Sequence, residues 1–389
     1  MVRVILMTDF TEAYARRLLL GISQFARESG QRWSICRIQS GNRKEGDLSD
    51  LLRFAQNIKA DAIIGQFYDT DDVTIFPRNG IIAIAQDFKK RFTTIPNITA
   101  DHYMAGKMAA EYFLGKGFKS FGFYGPAGVV FSEERYQGFK ETIRKANPDY
   151  SLSFFQASDS SLWELGLVEI NNWINYLPKP VGILACDDNW AYHITEACCL
   201  QSTDINRFRI PEDVSVVGVD NDETICNLSV PRLSSINQRV ETAGYNVARM
   251  ISKMISEGSM TCPDIRVEPG NLITRRSSDI LVNDDPDITT VLKYIHEHLA
   301  EKIVVNDLVK LVPLSRRLLE TKFSKSTGYS IYEYIIRARV KKMAELLKEG
   351  MSVTEAALTI GATDTKNISR SFKKIKGITP IEFRKKQEI

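Results

Sequence analysis

Long apolar runs are missing from this chain: no stretch approaches the roughly 20 residues that a membrane span needs. The opening MVRVILMTDF has one basic residue and an apolar run that stops at Asp9, without the charged leader and cleavage site of a secretory signal, so a cytoplasmic location is expected. Six cysteines (Cys36, Cys186, Cys198, Cys199, Cys226, Cys262) are scattered without a C-x-x-C pair. A bridge between the adjacent Cys198 and Cys199 would be strained, so reduced thiols are expected. Histidine is scarce: His102, His193, and the H-x-H pair His296 and His298, two imidazoles with no neighbouring Cys or carboxylate cluster to complete a metal site. The G-x-S-x-G, P-loop and H-E-x-x-H motifs are absent. No cofactor, no metal and no enzymatic constellation are therefore expected.

The chain is ordinary for a folded protein, 43% hydrophobic and 25% charged, but its charge is unevenly placed. Residues 288–389 hold 20 Lys and Arg against 11 Asp and Glu, a net +9, while the first 287 residues hold 31 against 37, a net −6. The basic end suits a polyanionic partner, although a solvated Lys-rich helical face has the same composition.

From residue 2 to about 280, short β-branched runs (2–7, 33–38, 61–67, 80–85, 120–125, 181–186, 214–220) alternate with amphipathic stretches (13–29, 47–58, 101–116, 132–146, 162–176, 188–200, 239–256). That alternation predicts an α/β domain built on parallel strands. Several strands end on polar residues: Asp9, Gln66, Asp87, Asp187 with Asp188, and Asp220. Ligands of open parallel sheets bind beyond the carboxyl ends of strands, so these side chains are expected to converge on a cleft; helix N-capping is the alternative for any one of them. Phe10, Tyr14, Phe67 and Trp190 are aromatic candidates for the same cleft, with ordinary packing as the alternative.

The segment 281–287, containing NDDPD, reads as a linker, and no convincing strand follows it. Residues 305–311 and 315–325 have helix-turn-helix spacing around Pro313; the second pair is capped by Ser352, turned at Gly361 and completed by 365–374. A long helix over 331–348 is predicted between the pairs. Arg316, Arg317, Glu320 and Thr321 fall on the outer side of the first recognition helix, with Leu318, Leu319 and Phe323 expected to turn inward. On the second, Lys366, Asn367 and Arg370 face out and Ile368 and Phe372 face in. Arg, Asn and Glu have the donor and acceptor geometry to read base edges, whereas Lys373 and Lys374 suit phosphate contacts.

The run SRRLLETKFSKSTGYSIYEYIIRARVKKMAELL followed by VTEAALTIGATDTKNISRSFKKIKGITPIEFR resembles the AraC family's DNA-binding domain, most specifically in R-x-F-K-K, G-x-T-P and F-R at this spacing. Upstream, TADHYMAGKMAAEYFLGKGFKSFGFYG, ERYQGF, ILACDDNWA, IPEDVSVVGVDND and LSSINQRVETAG resemble the LacI-type periplasmic-binding-protein-like core. That second resemblance implies two lobes (1–117 with 236–260, and 118–235 with 261–280), three crossovers and an interlobe ligand. The combined order, with Ala13, Tyr14 and the L-E-x-x-F of Leu319, Glu320 and Phe323, resembles the bacterial xylose operon regulators of the XylR type. This resemblance implies a homodimeric, D-xylose-dependent activator that binds promoter DNA through 288–389 and works with RNA polymerase. It places effector contacts on Asp101, Arg135, Asp187, Asp220 and Gln238; the strand ends add Asp9, and Phe10 and Trp190 are among the aromatic candidates for the apolar face of the sugar that this resemblance implies. Arg135 has a structural ion pair with Glu133 or Glu134 as its alternative. The rival reading is a sugar-binding protein, or a sugar-processing enzyme using Asp87 and Asp187 as a glycosidase pair, with an unrelated basic tail.

Overall fold

The β-branched runs do become strands, and what they surround places the site. The computed structural model describes all residues except 41–44, 157–162, 200–207, 283–284, 349, 363–364 and 386–389. It comprises two units, Met1–Asp279 and Ile280–Ile389.

The first unit holds two six-stranded sheets. One has the order β11-β5-β4-β3-β1-β2, made from β1 (Val2–Thr8), β2 (Trp33–Gln39), β3 (Ala62–Gly65), β4 (Ile82–Gln86), β5 (Asn97–Ala100) and β11 (Ile265–Val267). The other has the matching order β12-β10-β9-β8-β6-β7, made from β6 (Ser120–Gly125), β7 (Ser151–Gln156), β8 (Val181–Ala185), β9 (Val214–Val219), β10 (Ser234–Gln238) and β12 (Pro269–Ile273). Every pairing is parallel except β10 with β12. Central strands such as β3, β4 and β8 are buried along their whole length, as strands covered by helices on both faces must be.

The chain passes between the sheets three times, after β5, after β10 and between β11 and β12. Helix α4 (His102–Gly115) packs on α5 (Val130–Ala146), and α9 (Val240–Glu257) packs on α1 (Ala13–Glu28). The lobes therefore divide differently from the expected 1–117 with 236–260 and 118–235 with 261–280. Helix α4 belongs with the second sheet, β10 stays in the second sheet through Gln238, and β11 returns to the first. A helix that directly follows a strand reads in sequence as its continuation, which hides a crossover.

Glycine makes both helix pairs possible. A Cβ on Gly106 would stand 1.9 Å from the Arg135 carbonyl oxygen, and one on Gly138 2.0 Å from that of Tyr103. In the other lobe, Gly21 would meet the Glu241 carbonyl at 1.9 Å and Gly244 that of Leu18 at 2.2 Å. Backbones this close leave no room for any side chain.

The second unit is helical throughout its described residues: α10 (Pro286–Glu297), α11 (Val305–Lys310), α12 (Arg316–Thr327), α13 (Ile331–Lys348), α14 (Val353–Thr359), α15 (Thr365–Lys376) and α16 (Pro380–Lys385). Asp285 caps α10, so that helix starts inside the segment expected to be linker; Asn283 and Asp284 lie outside the described residues. Two small cores form, one from α10 to α12 with the start of α13, the other from the rest of α13 with α14 and α15. Helix α13 contributes Ile331 and Ile335 to the first and Val340, Met343 and Leu347 to the second, and so joins them as one scaffold. No helix among the described residues is long and apolar enough to cross a membrane.

Candidate functional site: a polar cleft and two exposed helices

Between the lobes of the first unit lies a cleft of about 400 Å³, counted to its open mouth, lined by Glu12, Tyr14, Gln66, Asp87, His102, Phe131, Arg135, Asp187 and Asp220. The first lobe supplies residues from the ends of β1, β3 and β4, the second from α5 and the ends of β8 and β9, as parallel sheets dictate. The lobes are bridged on both flanks. Arg91 holds Asp87 and reaches Glu134 with two 2.8 Å bonds, beside a 2.8 Å bond from the Val130 amide to the Phe88 carbonyl. On the other flank Arg16 binds Asp222, and Arg17 donates to Asn237 Oδ1 at 2.6 Å and to the Asn221 carbonyl at 2.9 Å.

The electrostatics centre on Arg135, which is buried, donates to the Cys186 carbonyl and lies 3.7 Å from Asp220 Oδ1, too far for a hydrogen bond. Burial opposes its charge, but Asp220, Cys186 and Asp187 outweigh burial and raise its pKa. Asp220 sits at φ +92°, a conformation that non-glycine residues rarely adopt and that recurs at functional sites. Burial pushes the Asp220 carboxyl above its usual range, against the pull of Arg135. Asp187 caps helix α7 (Asp188–Cys199) through the amides of Asn189 and Trp190; burial and then Asp220 push it up to about 6. Glu12 is pushed up to about 8 by burial, Asp187, Asp220 and Asp9. For Asp87, burial is overcome by hydrogen bonds with His102 and Arg91 and by the charge of Arg91, which hold it below its usual range, while burial lowers His102 to about 4 and keeps it neutral.

Arg135 Nε, Asp220 Oδ1 and His102 Nδ1 are buried with no hydrogen-bond partner. Buried polar atoms are seldom left unpaired, and three on one cleft wall form a set of donors and acceptors for a polar ligand. Phe131 lies under the Arg135 guanidinium at 5.4 Å and near His102 at 6.1 Å, giving the cleft an aromatic face.

Of the effector candidates, Arg135, Asp187 and Asp220 come together here, joined by the strand-end residues Gln66 and Asp87 and by Tyr14. The others lie elsewhere among the described residues. Asp9 accepts from Thr11 and Gln39, and Asp101 caps α4 by accepting from the Met104 amide. Phe10 packs on the first-lobe core beneath Arg37, and Phe67 is fully buried. Trp190 points into the second-lobe core, edge-on to Tyr124 at 5.2 Å, because the first turn of α7 rotates it away from the cleft. Gln238 is buried at the end of β10 with neither amide atom hydrogen-bonded and does not line the cleft. The pairing of Arg135 with Glu133 or Glu134 is replaced by Asp220, since Glu134 is taken by Arg91. Sequence reasoning missed Glu12, His102 and Phe131, which sit at helix starts instead of strand ends.

In the second unit, α11 with α12 and α14 with α15 form two helix-turn-helix pairs. Ser315 caps α12, and Ser352 with Glu355 forms a capping box on α14. Gly361 takes φ +68° at the second turn, where a Cβ would collide with the Ala300 carbonyl. Arg316, Arg317, Glu320 and Thr321 are exposed on α12, as are Lys366, Asn367, Arg370, Lys373 and Lys374 on α15, while Leu319, Phe323, Ile368 and Phe372 are buried. Leu318, expected inside, is 46% exposed, because it lies about 100° round the helix from Leu319. Glu320 is paired with Arg316 at 3.0 Å, and the Thr321 hydroxyl donates to the Arg317 carbonyl. His296 meets the Tyr334 hydroxyl and His298 stacks on Tyr294 at 4.0 Å, so each imidazole has a partner within the fold.

Residues 110–278 match the periplasmic binding protein-like domain and residues 308–386 a helix-turn-helix domain. The xylose operon regulatory protein of Escherichia coli strain K12 is 26% identical over 396 aligned positions, which cover 98% of this chain and 96% of that one. That of Haemophilus influenzae is 26% identical over 391, covering 98% of both. A solved structure of the xylose-binding transcription activator XylR superposes with a TM-score of 0.60 at 24% identity, covering 98% of this chain and 97% of that one. These relatives are regulators, so the cleft carboxylates, Asp87 and Asp187 included, have no call to act as a glycosidase pair. The chain is a transcriptional regulator in which a periplasmic-binding-protein-like domain precedes a helix-turn-helix DNA-binding domain, the order it shares with the xylose operon regulatory proteins.

Proposed function

We propose that this regulator is governed by a neutral sugar, D-xylose, and that the sugar-bound form activates a catabolic operon in the cytoplasm, acting as a homodimer on promoter DNA and with RNA polymerase. The observation that carries the reading is the trio of unpaired buried atoms on Arg135, Asp220 and His102, in a cleft whose carboxylates accept hydroxyl protons and whose guanidinium donates. Phe131 and Tyr14 suit the apolar face of a pyranose. D-xylose is preferred because full-length relatives are named for the xylose operon. The described lobes, joined on both flanks, correspond to the form that a sugar between them stabilises, so binding shifts the population toward closure.

In the DNA unit, Arg316, Arg317, Glu320 and Thr321 of α12 and Lys366, Asn367 and Arg370 of α15 are assigned to base and phosphate contacts, with Lys373 and Lys374 on phosphate. The test is calorimetric titration with pentoses and hexoses, followed by promoter binding and transcription with and without the tightest ligand. Saturable binding of D-xylose that changes either output supports the assignment; a preference for another sugar, or no change in either output, refutes it.

A further inference from the structure

Four carboxyl groups line the cleft, Glu12, Asp87, Asp187 and Asp220, and Arg135 is the one fixed cation among the lining residues. Asp87 is answered by Arg91 from outside the lining and is hydrogen-bonded to His102. That leaves Glu12, Asp187 and Asp220 to share Arg135, whose guanidinium is already committed to the Cys186 carbonyl and to the side of Asp220. Glu12 stands at the N-cap of α1, yet its side chain makes no capping bond. It faces Asp9 from the end of β1, Asp187 from the end of β8, Asp220 from the end of β9 and Arg135 from α5. Gln66, Asp87 and His102 complete the wall from β3, β4 and the start of α4, and Tyr14 follows on its own helix.

We propose that Glu12 enters the cleft as an uncharged acid whose O–H donates to a ligand oxygen, and that the surrounding carboxylates confine the site to neutral sugars and turn away sugar acids and sugar phosphates. The inference rests on the proposed neutral sugar effector and adds the means by which anionic sugars are excluded and one donor. Three ionised carboxylates around one guanidinium in a closed site repel one another, and the most easily neutralised takes a proton. A neutral carboxyl both donates and accepts, and so complements a hydroxyl where a carboxylate only accepts. An anionic ligand would add charge of the sign already in excess, which is discrimination by repulsion. Burial and the neighbouring carboxylates hold Glu12 near 8, so its proton is present at neutral pH and leaves just above it.

The experiment is calorimetric titration of the full chain with D-xylose and with D-xylonate at pH 7 and pH 9, for the wild type and for Glu12→Gln, with folding checked by circular dichroism at each pH. D-xylose affinity of the wild type falls about tenfold from pH 7 to pH 9, following the protonated share of a group near 8. In Glu12→Gln, whose amide donates at every pH, the ratio between the two pH values falls to near one. D-xylonate binds at least tenfold more weakly than D-xylose at pH 7. Equal D-xylose affinity at pH 7 and pH 9 in the wild type, the same tenfold ratio in Glu12→Gln, or D-xylonate binding as tightly as D-xylose would each overturn the inference while leaving the sugar effector standing. Absence of D-xylose binding by the wild type at pH 7 overturns the proposed function itself, and the inference with it.

Discussion

Replacing Arg135 with methionine keeps an unbranched apolar stem and removes the fixed cation from the cleft wall. Arg135 is 2% exposed, so without it Asp220 and Asp187 would be left facing each other with only the weaker pull of Arg17 on Asp220. Removing one partner of a buried pair costs about 3–5 kcal/mol when the other stays charged. Here the carboxyls have an escape, since Asp187 already titrates near 6. A carboxyl with a raised folded pKa contributes stability at low pH that is lost as pH rises through the folded value. Arg135→Met raises that value further and widens the window of loss upward. The expected destabilisation is therefore about 3–5 kcal/mol at pH 8 and roughly 1–2 kcal/mol at pH 5, where Asp187 is mostly protonated and the lost hydrogen bond dominates. All four tryptophans (Trp33, Trp163, Trp173, Trp190) belong to the first unit, so their fluorescence during urea unfolding reports on it alone. Sugar affinity should fall by about 10- to 150-fold, the worth of one charge-assisted hydrogen bond. The double variant Arg135→Met with Asp220→Asn should regain most of the stability and none of the affinity. Identical losses at pH 5 and pH 8, or a single variant that binds sugar as the wild type does, would refute the electrostatic account.

Glu134→Gln removes the two-pronged bridge to Arg91; because both groups are about one-third exposed, it should cost about 1 kcal/mol or less. Sugar affinity should then drop up to about fivefold, with a larger radius of gyration by small-angle scattering in the absence of sugar. Gly138→Ala forces a Cβ against the Tyr103 carbonyl and should lower the urea midpoint by the equivalent of about 3 kcal/mol or more. Gly115→Ala, at the open end of α4, should leave the midpoint level or raise it. In the DNA unit, Lys373→Ala should reduce the slope of log affinity against log salt by about 1 with sequence preference intact. Asn367→Ala should cost about 1–3 kcal/mol and relax preference at one operator position, read by binding to a library of base-substituted sites.

Strands announced themselves where β-branched residues ran together, as in β1, β8 and β9. β10 did not, because its buried Ser234 and Ser235 look like loop residues until their hydroxyls are paired: Ser234 with the Arg275 carbonyl and Ser278, Ser235 with the Asn221 amide. β7 opens by alternating Ser151 and Ser153 with Leu152 and Phe154, and β11 has only three residues. Strand ends converge by topology, and so Asp187, Asp220, Gln66 and Asp87 line the cleft; Asp9 and Asp188, read the same way, do not, and Asp188 is buried accepting from the Asp222 amide. The aromatic face was not: Trp190 stands three residues from Asp187, but on a helix that interval decides whether a side chain meets ligand or core. Glu12, His102 and Phe131 needed the fold, since nothing in their spacing links residues 12, 102 and 131.

The glycine-tight pairs of α1 with α9 and of α4 with α5, and the late strands β11 and β12, carry a consequence for how the chain is made. An emerging polypeptide cannot finish the first sheet until Val267 has left the ribosome, nor the second until Ile273. Neither half can be cut out as a continuous gene fragment, and both mature within a few residues of each other. Such long-range closure makes for slow assembly, and it means that the DNA-reading helices emerge onto a sensor that has only just become whole.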